Sequence, residues 1–276
     1  MRLILLTVVT MCAFAANSIL TRAAVEGGHL TPGAFAILRV AAGAAMLGMI
    51  ACWRGESLPL FQRARLPGAI SLTAYMGGFS LAYLTLDAGL GALILFGVTQ
   101  ITMFAHGAVT GQPPTWRQMS GAAVAFSGLV LVLWPGADSQ TDPLGAALMI
   151  IAGLGWAAYT IAGRGASDPL AATGASFLLC LPLSAILLFG SGLEGDAFGV
   201  MLAVVSGAVT SGLGYALWYS VLRQMSGSTA AVVQLSVPVI AIIAGAILLG
   251  EQISSVILIA AGLVVGGIGW AVTARK

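Results

Sequence analysis

Residues 228–273 decide the fold, with the sequence STAAVVQLSVPVIAIIAGAILLGEQISSVILIAAGLVVGGIGWAVT. Two long apolar runs flank the Gly250-Glu251-Gln252 turn, and Glu251 is the one charged residue in the stretch. An α-helix of about 20 apolar residues is long enough to cross the hydrocarbon core of a bilayer. The stretch is therefore typical of two membrane-spanning helices joined by a short polar turn.

The composition of the whole chain has the same character. Its 276 residues include only 11 Lys+Arg and 9 Asp+Glu, while 59% are hydrophobic and 37 are Gly. Soluble domains carry about 25% charged residues, and small residues allow helices to approach closely in a membrane. We therefore expect an all-α polytopic membrane protein without cofactor or metal. The net charge of +2 excludes a nucleic-acid binder, which needs a strongly basic face.

Ten apolar runs of spanning length follow one another along the chain. They are residues 3–24, 32–52, 67–87, 90–110, 117–134, 144–164, 170–190, 197–221, 228–249 and 252–273. Their short connections leave no room for a soluble domain, so we expect one transmembrane domain over residues 1–276. An alternative is that the first run is a signal peptide with a cleavage site at Ala13-Phe14-Ala15, which would leave nine spans.

The distribution of charges tests this segmentation, because Lys and Arg accumulate in cytoplasmic loops. With the N-terminus in the cytoplasm, nine of the eleven basic residues fall on the cytoplasmic side and seven of the nine acids fall on the opposite side. Arg22 is the one basic residue on the outer side, and Arg39 lies within the membrane. The pattern predicts a multi-pass protein of the bacterial inner membrane with both termini in the cytoplasm.

The two halves of the chain share a weak internal repeat. Phe14-Ala15-Ala16-Asn17 aligns with Trp156-Ala157-Ala158-Tyr159 at an offset of 142 residues, and Gly78-Phe79 aligns with Gly214-Tyr215 at an offset of 136. An odd number of spans in each half inserts the second copy with the opposite orientation, as in many transporters. We therefore expect two inverted five-helix repeats, residues 1–137 and residues 138–276.

Three motifs carry a family resemblance. They are Ala231-Val-Val-Gln-Leu-Ser-Val-Pro238, then Ala246-Ile-Leu-Leu-Gly-Glu251, and Pro32 followed seven residues later by Arg39. They resemble the signature of EamA-type carriers of the drug/metabolite transporter superfamily, over essentially the whole chain. The resemblance implies a central cavity surrounded by helices 1–4 and 6–9, with helices 5 and 10 at the periphery. It also implies a similarity to bacterial exporters of amino acids, including aromatic ones.

Arg39 and His106 are the ionisable residues inside the predicted spans, where such groups are costly and are suspected of function. Arg39 falls about 12 Å into the membrane. Its guanidinium could hold a substrate carboxylate, or it could tie its helix to Asp87, a carbonyl or a helix end. His106 could relay protons or serve a structural role. Because no Asp or Glu is embedded in a span, we expect no dedicated proton site.

The remaining candidates are aromatic rings and amides. Tyr75 and Phe79, at i and i+4, share one face of the third helix, and Tyr215 and Tyr219 repeat this spacing on the eighth. Each candidate could contact substrate or only pack between helices, but together they predict a pocket for a small amphipathic zwitterion. With Arg39, the predicted substrate-binding residues are Phe14, Asn17, Tyr75, Phe79, Tyr83, Gln100, Trp156, Tyr159, Tyr215, Trp218, Tyr219 and Gln234.

Glycine and proline residues inside spans are candidate hinges, because they free backbone groups or allow helices to bend. The predicted hinges are Gly77, Gly78, Pro182 and Pro238. The last helix also carries a ladder of small residues at 260–262 and 266, which could pack inside the fold or join two protomers in a homodimer.

We therefore expect a secondary transporter that binds a small-molecule substrate inside the lipid bilayer. It would export amino acids with apolar or aromatic side chains by alternating access. An alternative is an exporter of other small metabolites or drugs, such as a sugar, a nucleoside or a cationic compound. A channel would need a filter or rings of charge, and an intramembrane enzyme would need paired carboxylates or an activated serine. The sequence therefore disfavours these two classes.

Overall fold

The computed structural model describes residues 1–60, 62, 65–111, 115–134, 141–163, 168–188, 192–222, 224 and 233–272, except for the side chains of residues 132, 169, 219, 222 and 272. Within these ranges the chain is helical, apart from one isolated bridge between Leu30 and Gly195. The all-α prediction is therefore confirmed for the described residues. We count ten helices there, taking the three continuous segments over residues 197–222 as one.

The ten helices occupy the ten predicted spans. They are α1 (Arg2–Val25), α2 (Pro32–Trp53), α3 (Arg65–Ala82), α4 (Ala88–Val109), α5 (Trp116–Leu133), α6 (Pro143–Gly163), α7 (Pro169–Ser184, continued by a 3₁₀ turn at Ala185–Leu188), α8 (Ala197–Val204, Val205–Leu213 and Gly214–Leu222), α9 (Ser236–Leu248) and α10 (Ser255–Val272). Part of the ninth predicted span lies outside the described residues.

Six of these helices are long and apolar enough to cross a membrane, judged by length and composition. They are α1, α2, α4, α6, α7 with its 3₁₀ continuation, and α8 as far as Trp218. The described parts of α9 and α10 are apolar but shorter. Their lengths alone therefore do not establish ten spans.

Polar residues set the starts of several helices. Thr115 forms a capping box with Gln118 at the start of α5. Asp168 accepts the N–H groups of Leu170 and Ala171 at the start of α7. Such side chains satisfy N–H groups that have no partner within the first turn of a helix. These caps explain why the observed helix starts lie close to the predicted ones.

The third span ends earlier than expected. The prediction extended it to residue 87, but α3 ends at Ala82 and residues 83–86 form a turn. Asp87 is extended, with φ −62° and ψ 150°, and is the N-cap of α4. The residues of the turn are largely apolar, and hydropathy therefore does not distinguish them from the end of a span.

The eighth helix changes its winding at its centre. Val205–Leu213 is a π-helix between two α-helical segments. π-Helical turns are rare and frequently lie at functional sites. Gly207 lies directly against the backbone of α2, because a Cβ at this position would collide with the carbonyl oxygen of Arg39. The widened part of α8 therefore packs on the part of α2 that carries Arg39.

The packing partners of the two halves correspond. The contact of α3 with α6 has a counterpart in α8 with α1, and the contact of α4 with α6 has a counterpart in α9 with α1. Likewise, α2 packs on α8 and α7 packs on α3. The remaining major pairs join equivalent helices, namely α2 with α7, α4 with α9 and α5 with α10. The pattern of major contacts is therefore unchanged when each helix is exchanged for the one five positions away.

Close packing of α5 on α10 depends on glycine. A Cβ at Gly267 would lie 2.6 Å from the carbonyl oxygen of Gly121, so a larger residue would push the helices apart. Gly262 and Gly266 of the predicted ladder are exposed instead, and a Cβ at either would meet no heavy atom within 4 Å. Their part in a homodimer remains a prediction.

Candidate substrate site

Arg39 is fully buried at the centre of the described helices. Its Nε donates a hydrogen bond to Ser211 Oγ at 3.1 Å, and its Nη2 donates to the Tyr75 hydroxyl at 3.0 Å. Nη1 is buried and has no hydrogen-bond partner among the described residues. Within the same part of the chain, no carboxylate forms an ion pair with Arg39. The cation is therefore held by neutral dipoles and keeps one unused donor nitrogen.

Asn17 on α1 organises the polar groups beside this cation. The hydroxyl oxygens of Ser206, Thr210 and Ser211 lie 2.8, 2.6 and 3.3 Å from Asn17 Oδ1. All three hydroxyls belong to the π-helical segment of α8, and all are buried. Ser211 thus connects Asn17 to Arg39, because its hydroxyl can donate to Oδ1 while it accepts from Nε.

Aromatic rings enclose the guanidinium on the α3 side. The Cζ atom of Arg39 lies 4.9 Å from the ring centroid of Phe79 and 5.5 Å from that of Tyr75. A cation over an aromatic face is attracted by the ring quadrupole, with a gain of about 0.5–2 kcal/mol. The predicted stripe on α3 therefore does lie against Arg39.

Trp156 on α6 is the centre of a larger aromatic cluster. Its ring centroid lies 5.0 Å from Tyr75, 5.3 Å from Tyr215, 5.7 Å from Tyr159 and 6.3 Å from Phe14. These spacings are typical of favourable aromatic pairs. Phe14 and Trp156, which the predicted repeat aligns at an offset of 142 residues, therefore contact each other here.

Three further rings extend this cluster. Tyr83 contacts Phe79 at 4.8 Å, Trp218 contacts Phe14 at 5.8 Å, and Phe177 contacts Tyr215 at 5.8 Å. Most of the cluster is closed to solvent, and Trp156 has the largest exposed fraction at 8%. The expected central cavity is therefore filled by aromatic side chains in this structure.

The structure brings together ten of the predicted site residues and leaves others apart. Gln100 is buried on α4, and Gln234 is half-buried just before α9, but neither takes part in the contacts that build the cluster. The side chain of Tyr219 lies outside the described residues. His106 is exposed near the end of α4, where its carbonyl accepts hydrogen bonds from Thr110.

Sequence reasoning missed the hydroxyls of α8 and the ring of Phe177 as parts of this site. Ser206 and Thr210 are four residues apart in an apolar span, a spacing that places both on one helix face. That spacing could have revealed the polar face. Ser211 is on the same face only because the segment is π-helical, and neither composition nor hydropathy signals this change in winding.

The predicted hinge glycines serve close packing in this structure. α3 continues without a break through Gly77 and Gly78. A Cβ at Gly77 would lie 2.9 Å from Leu187 Cδ2, and a Cβ at Gly78 would lie 2.6 Å from the carbonyl oxygen of Leu148. Both glycines therefore allow α3 to approach its neighbours, and bending at these positions remains a prediction.

The two predicted hinge prolines differ in their settings. Pro182 lies inside α7, which changes to a 3₁₀ turn from Ala185 onward. A proline inside a helix removes one backbone hydrogen bond and favours a break or kink. Pro238 lies in the first turn of α9, where its missing N–H has no partner in any case. Pro182 is therefore the proline with a visible effect on its helix.

A second charged cluster lies where α1 ends and α4 begins. Arg22 donates to the carbonyl of Tyr83 at 3.1 Å and lies 3.5 Å from Asp87 Oδ1 and 3.9 Å from Glu251 Oε1. Glu251 Oε1 in turn accepts a hydrogen bond from the backbone N–H of Ala88 at 2.6 Å. This bond satisfies an N–H group that has no partner within the first turn of α4. Burial raises the pKa of the Glu251 carboxyl, against these N–H contacts. Asp87 thus pairs with Arg22 and not with Arg39, so the proposed structural tie of Arg39 to Asp87 is wrong.

A polar contact also joins the loops that precede α2 and α8. His29 Nδ1 lies 2.8 Å from Asp196 Oδ2, and the His29 ring packs against Phe198. The hydrogen bond from His29, together with the N–H of Gly199, holds the pKa of Asp196 below its usual value. Both side chains of this pair are partly exposed. The contact is therefore weaker than the buried polar network at the centre.

An apolar groove of about 490 Å³ lies away from the central cluster. It is formed by α4, α5 and α6, with Ile101, Phe126 and Leu154 among its walls. It contains none of the predicted substrate-binding residues. Among the described residues there is also no group of three His, Cys, Asp or Glu side chains that could hold a metal ion.

Comparison with known proteins identifies the family. Residues 143–273 match the sequence profile of the EamA-like transporter family. An uncharacterized protein of Pseudomonas aeruginosa is 43% identical over an alignment of 276 positions, which covers 97% of this chain and 93% of that protein. The chain belongs to the EamA-like transporter family. The predicted resemblance to EamA-type carriers is thereby confirmed.

Two further similarities fit this EamA-like chain. An uncharacterized transporter of Archaeoglobus fulgidus is 25% identical over 206 residues, which cover 73% of this chain and 74% of that protein. A solved structure described as the crystal structure of a protein has a TM-score of 0.71 and 18% identity, over 98% of this chain and 97% of that one. This second similarity shows the fold alone. EamA-like membership indicates a multi-pass membrane transporter of small solutes, and the family is one of transporters, not enzymes.

Proposed function

We propose that this EamA-like transporter exports small amphipathic metabolites across the inner membrane, and that amino acids with apolar or aromatic side chains fit its site best. The observation that carries the proposal is the buried Arg39, which has no carboxylate partner among the described residues and one unused donor nitrogen. A membrane-embedded cation of this kind is costly and calls for a compensating charge. A substrate carboxylate supplies that charge.

The guanidinium suits a carboxylate because it is planar and always protonated. Nε and Nη2 of Arg39 are engaged by Ser211 and Tyr75, which orient the group and leave Nη1 for a ligand. Hydrogen bonds between two charged groups are roughly twice as strong as those between neutral groups. The free energy of binding a substrate carboxylate should therefore be most favourable at Nη1 of Arg39.

The aromatic cluster suits the apolar end of the same substrate. Tyr75 belongs both to the hydrogen bonds of Arg39 and to the rings around Trp156, so the cation and the apolar surface adjoin. A ligand ring can replace a ring-to-ring contact by a similar one at little cost. Since the rings fill the centre in this structure, substrate entry requires helices α1, α3, α6 and α8 to move apart.

Alternating access fits the arrangement of the helices. We propose ten spans in two inverted five-helix halves, residues 1–137 and 138–276, with both termini in the cytoplasm. The corresponding packing of α3 on α6 and of α8 on α1 supports this arrangement. Rocking of inverted halves around a site near the midplane is common among secondary transporters. The central network contains hydroxyls, an amide and a cation but no described carboxylate, so we propose no dedicated proton site.

Counterflow into proteoliposomes tests the proposed substrate. Vesicles are loaded with unlabelled phenylalanine, and the uptake of labelled phenylalanine is measured against labelled leucine, phenylalaninamide, a sugar and a nucleoside. We expect saturable exchange of phenylalanine and leucine and little exchange of the amide, which lacks the carboxylate. Preferred exchange of the amide, the sugar or the nucleoside would reject the amino acid proposal and favour an alternative exporter.

A topology measurement tests the arrangement separately. A tag on either terminus should be accessible from the cytoplasmic side only. Access to one terminus from the outer side would contradict the two inverted halves, because both ends of a ten-span chain must lie on the same side.

A further inference from the structure

The structure assigns to Asn17 a role in selecting the charge of the ligand. We propose that its neutral amide keeps Arg39 available to an anionic group, and that a carboxylate in its place would redirect the site to amines. This inference rests on the proposed function, since it takes the central cluster to be the substrate site. Asn17 is a positioning residue here, because it acts on the ligand through Ser211 and Arg39.

The hydrogen bonds donate in one direction, from Arg39 through Ser211 to Asn17. Ser211 Oγ accepts from Arg39 Nε at 3.1 Å, so its own proton is free to point to Asn17 Oδ1, 3.3 Å away. Ser211 and Tyr75 accept hydrogen bonds from Nε and Nη2 of the guanidinium, and Nη1 has no hydrogen-bond partner among the described residues. The polar chain from Asn17 to Tyr75 is neutral apart from the cation itself.

The surroundings of Oδ1 are unusual for an amide oxygen. An amide carbonyl has two lone pairs, but three hydroxyl oxygens lie within 3.3 Å of Asn17 Oδ1. Ser206 and Ser211 can each donate a proton to this oxygen, whereas Thr210 can give its one proton either to Oδ1 or to the carbonyl oxygen of Ser206 at 2.9 Å. Two or three such donors would stabilise a carboxylate well. The site could therefore hold a negative charge at this position, and the presence of an amide leaves the positive charge of Arg39 uncompensated.

The amide nitrogen contributes less to the network. Asn17 Nδ2 lies 3.4 Å from the carbonyl oxygen of Ala13 and 3.5 Å from that of Thr210, at the long limit of hydrogen bonding. A replacement of this nitrogen by oxygen therefore loses two weak contacts. Asn17→Asp is nearly isosteric and adds one negative charge, which makes it a direct test of the proposal.

A purely structural role gives a different expectation. If Asn17 only ties α1 to α8, then Asn17→Ala and Asn17→Asp should weaken every ligand alike. If Asn17 selects charge, Asn17→Ala should weaken binding but keep the order of preference, whereas Asn17→Asp should reverse the order. The comparison of these two variants therefore separates the two roles.

The experiment measures binding to the purified full-length protein by ligand-induced thermal stabilisation. The probes are phenylacetate and phenethylamine, which share an aromatic ring and carry opposite charges. We expect the wild type and Asn17→Ala to bind phenylacetate about tenfold more tightly than phenethylamine, and Asn17→Asp to reverse this preference. Ser211→Asp places a carboxylate next to Arg39 Nε and should also reverse the preference between the two probes. It provides the test if Asn17→Asp does not fold.

Three outcomes would overturn the inference. They are a wild type that prefers phenethylamine, a wild type that binds neither probe, and variants with aspartate at position 17 or 211 that keep the preference for phenylacetate. The measurement involves no transport and no amino acid. Failure of amino acid counterflow with the reversal intact would therefore reject the proposed substrate and leave the charge selection standing.

Discussion

Two arginines in the first two helices have opposite surroundings. Arg22, in the last turn of α1, lies within 4 Å of two carboxylates, Asp87 and Glu251. Arg39, fully buried in α2, is held by a tyrosine hydroxyl and a serine hydroxyl. The same side chain is thus neutralised by the protein in one place and only oriented by it in the other.

We propose that this difference separates a structural ion pair at Arg22 from a binding site at Arg39. The carboxylates around Arg22 tie the end of α1 to the start of α4 and to the loop after α9, and they leave no positive charge for a ligand. Hydroxyl dipoles stabilise Arg39 without cancelling its charge. A charge held in a dry environment interacts strongly with an entering counter-charge. The comparison therefore predicts functional effects at Arg39 and stability effects at Arg22.

Loss of the central cation should have the largest effect. Arg39→Gln removes the charge that we propose pairs with the substrate carboxylate, and this loss should cost about 2–5 kcal/mol and lower kcat/KM roughly 30-fold to several thousand-fold. Arg39→Lys keeps the positive charge but lacks the planar guanidinium with its several N–H donors, and it should retain part of the activity. Initial counterflow rates of phenylalanine over a range of concentrations measure both variants.

The fold of the Arg39 variants provides the control. Gel filtration and thermal unfolding should show that Arg39→Gln remains folded, since glutamine can still bond to Ser211. A variant that unfolds, or one with unchanged exchange kinetics, would make Arg39 a structural residue like Arg22 and would remove the contrast between the two arginines.

A smaller effect is expected when the cation keeps its charge but loses an orienting partner. Tyr75→Phe removes the hydroxyl that accepts from Nη2 and leaves the ring in the aromatic cluster. Removal of one hydrogen bond to a charged group costs about 1.5 kcal/mol, or roughly tenfold in KM, if Nη2 turns away from the substrate. Tyr159→Phe is the matched control, because its hydroxyl bonds to Thr173 outside the Arg39 contacts. Equal KM values for the two variants would contradict an orienting role of Tyr75.

Much of this arrangement follows from the sequence. The ten apolar runs predict helix positions close to those observed, because hydropathy reports burial in lipid or core directly. The stripe of Tyr75, Phe79 and Tyr83 follows from helical spacing, and the 142-residue offset of the repeat pairs Phe14 with Trp156. Arg39 stands out because a charge inside a span is rare.

The partners of these residues could not be predicted in the same way. Ser211 faces Arg39 because α8 is π-helical at that point, and a local change of winding leaves no periodic signal in the sequence. Glu251 caps the start of α4 from the opposite half of the chain, which depends on tertiary packing. The end of α3 at Ala82 depends on the same contacts, since Asp87 and the carbonyl of Tyr83 both bind Arg22.

Arg22 should contribute to stability without changing substrate affinity. A double-mutant cycle with Arg22→Gln and Glu251→Gln should give a coupling energy of about 0.6–1 kcal/mol in unfolding by SDS, a value typical of polar pairs in membrane proteins. Both side chains of this pair are largely buried, with 14% and 9% exposed. The KM for phenylalanine should remain unchanged in the single variants. A large change in KM without a coupling energy would assign Arg22 to the substrate site.

The smallest effect concerns the exposed pair of His29 and Asp196, which joins the loops that precede α2 and α8. The hydrogen bond from His29 lowers the pKa of Asp196, so the carboxylate stabilises the folded protein above the pKa that it has in the unfolded chain. This stabilisation is lost as the pH falls through the lower pKa of the folded protein. Unfolding temperatures of the wild type should therefore fall slightly more than those of Asp196→Asn between pH 6 and about pH 3. Parallel curves would show that the contact between His29 and Asp196 carries no electrostatic stabilisation.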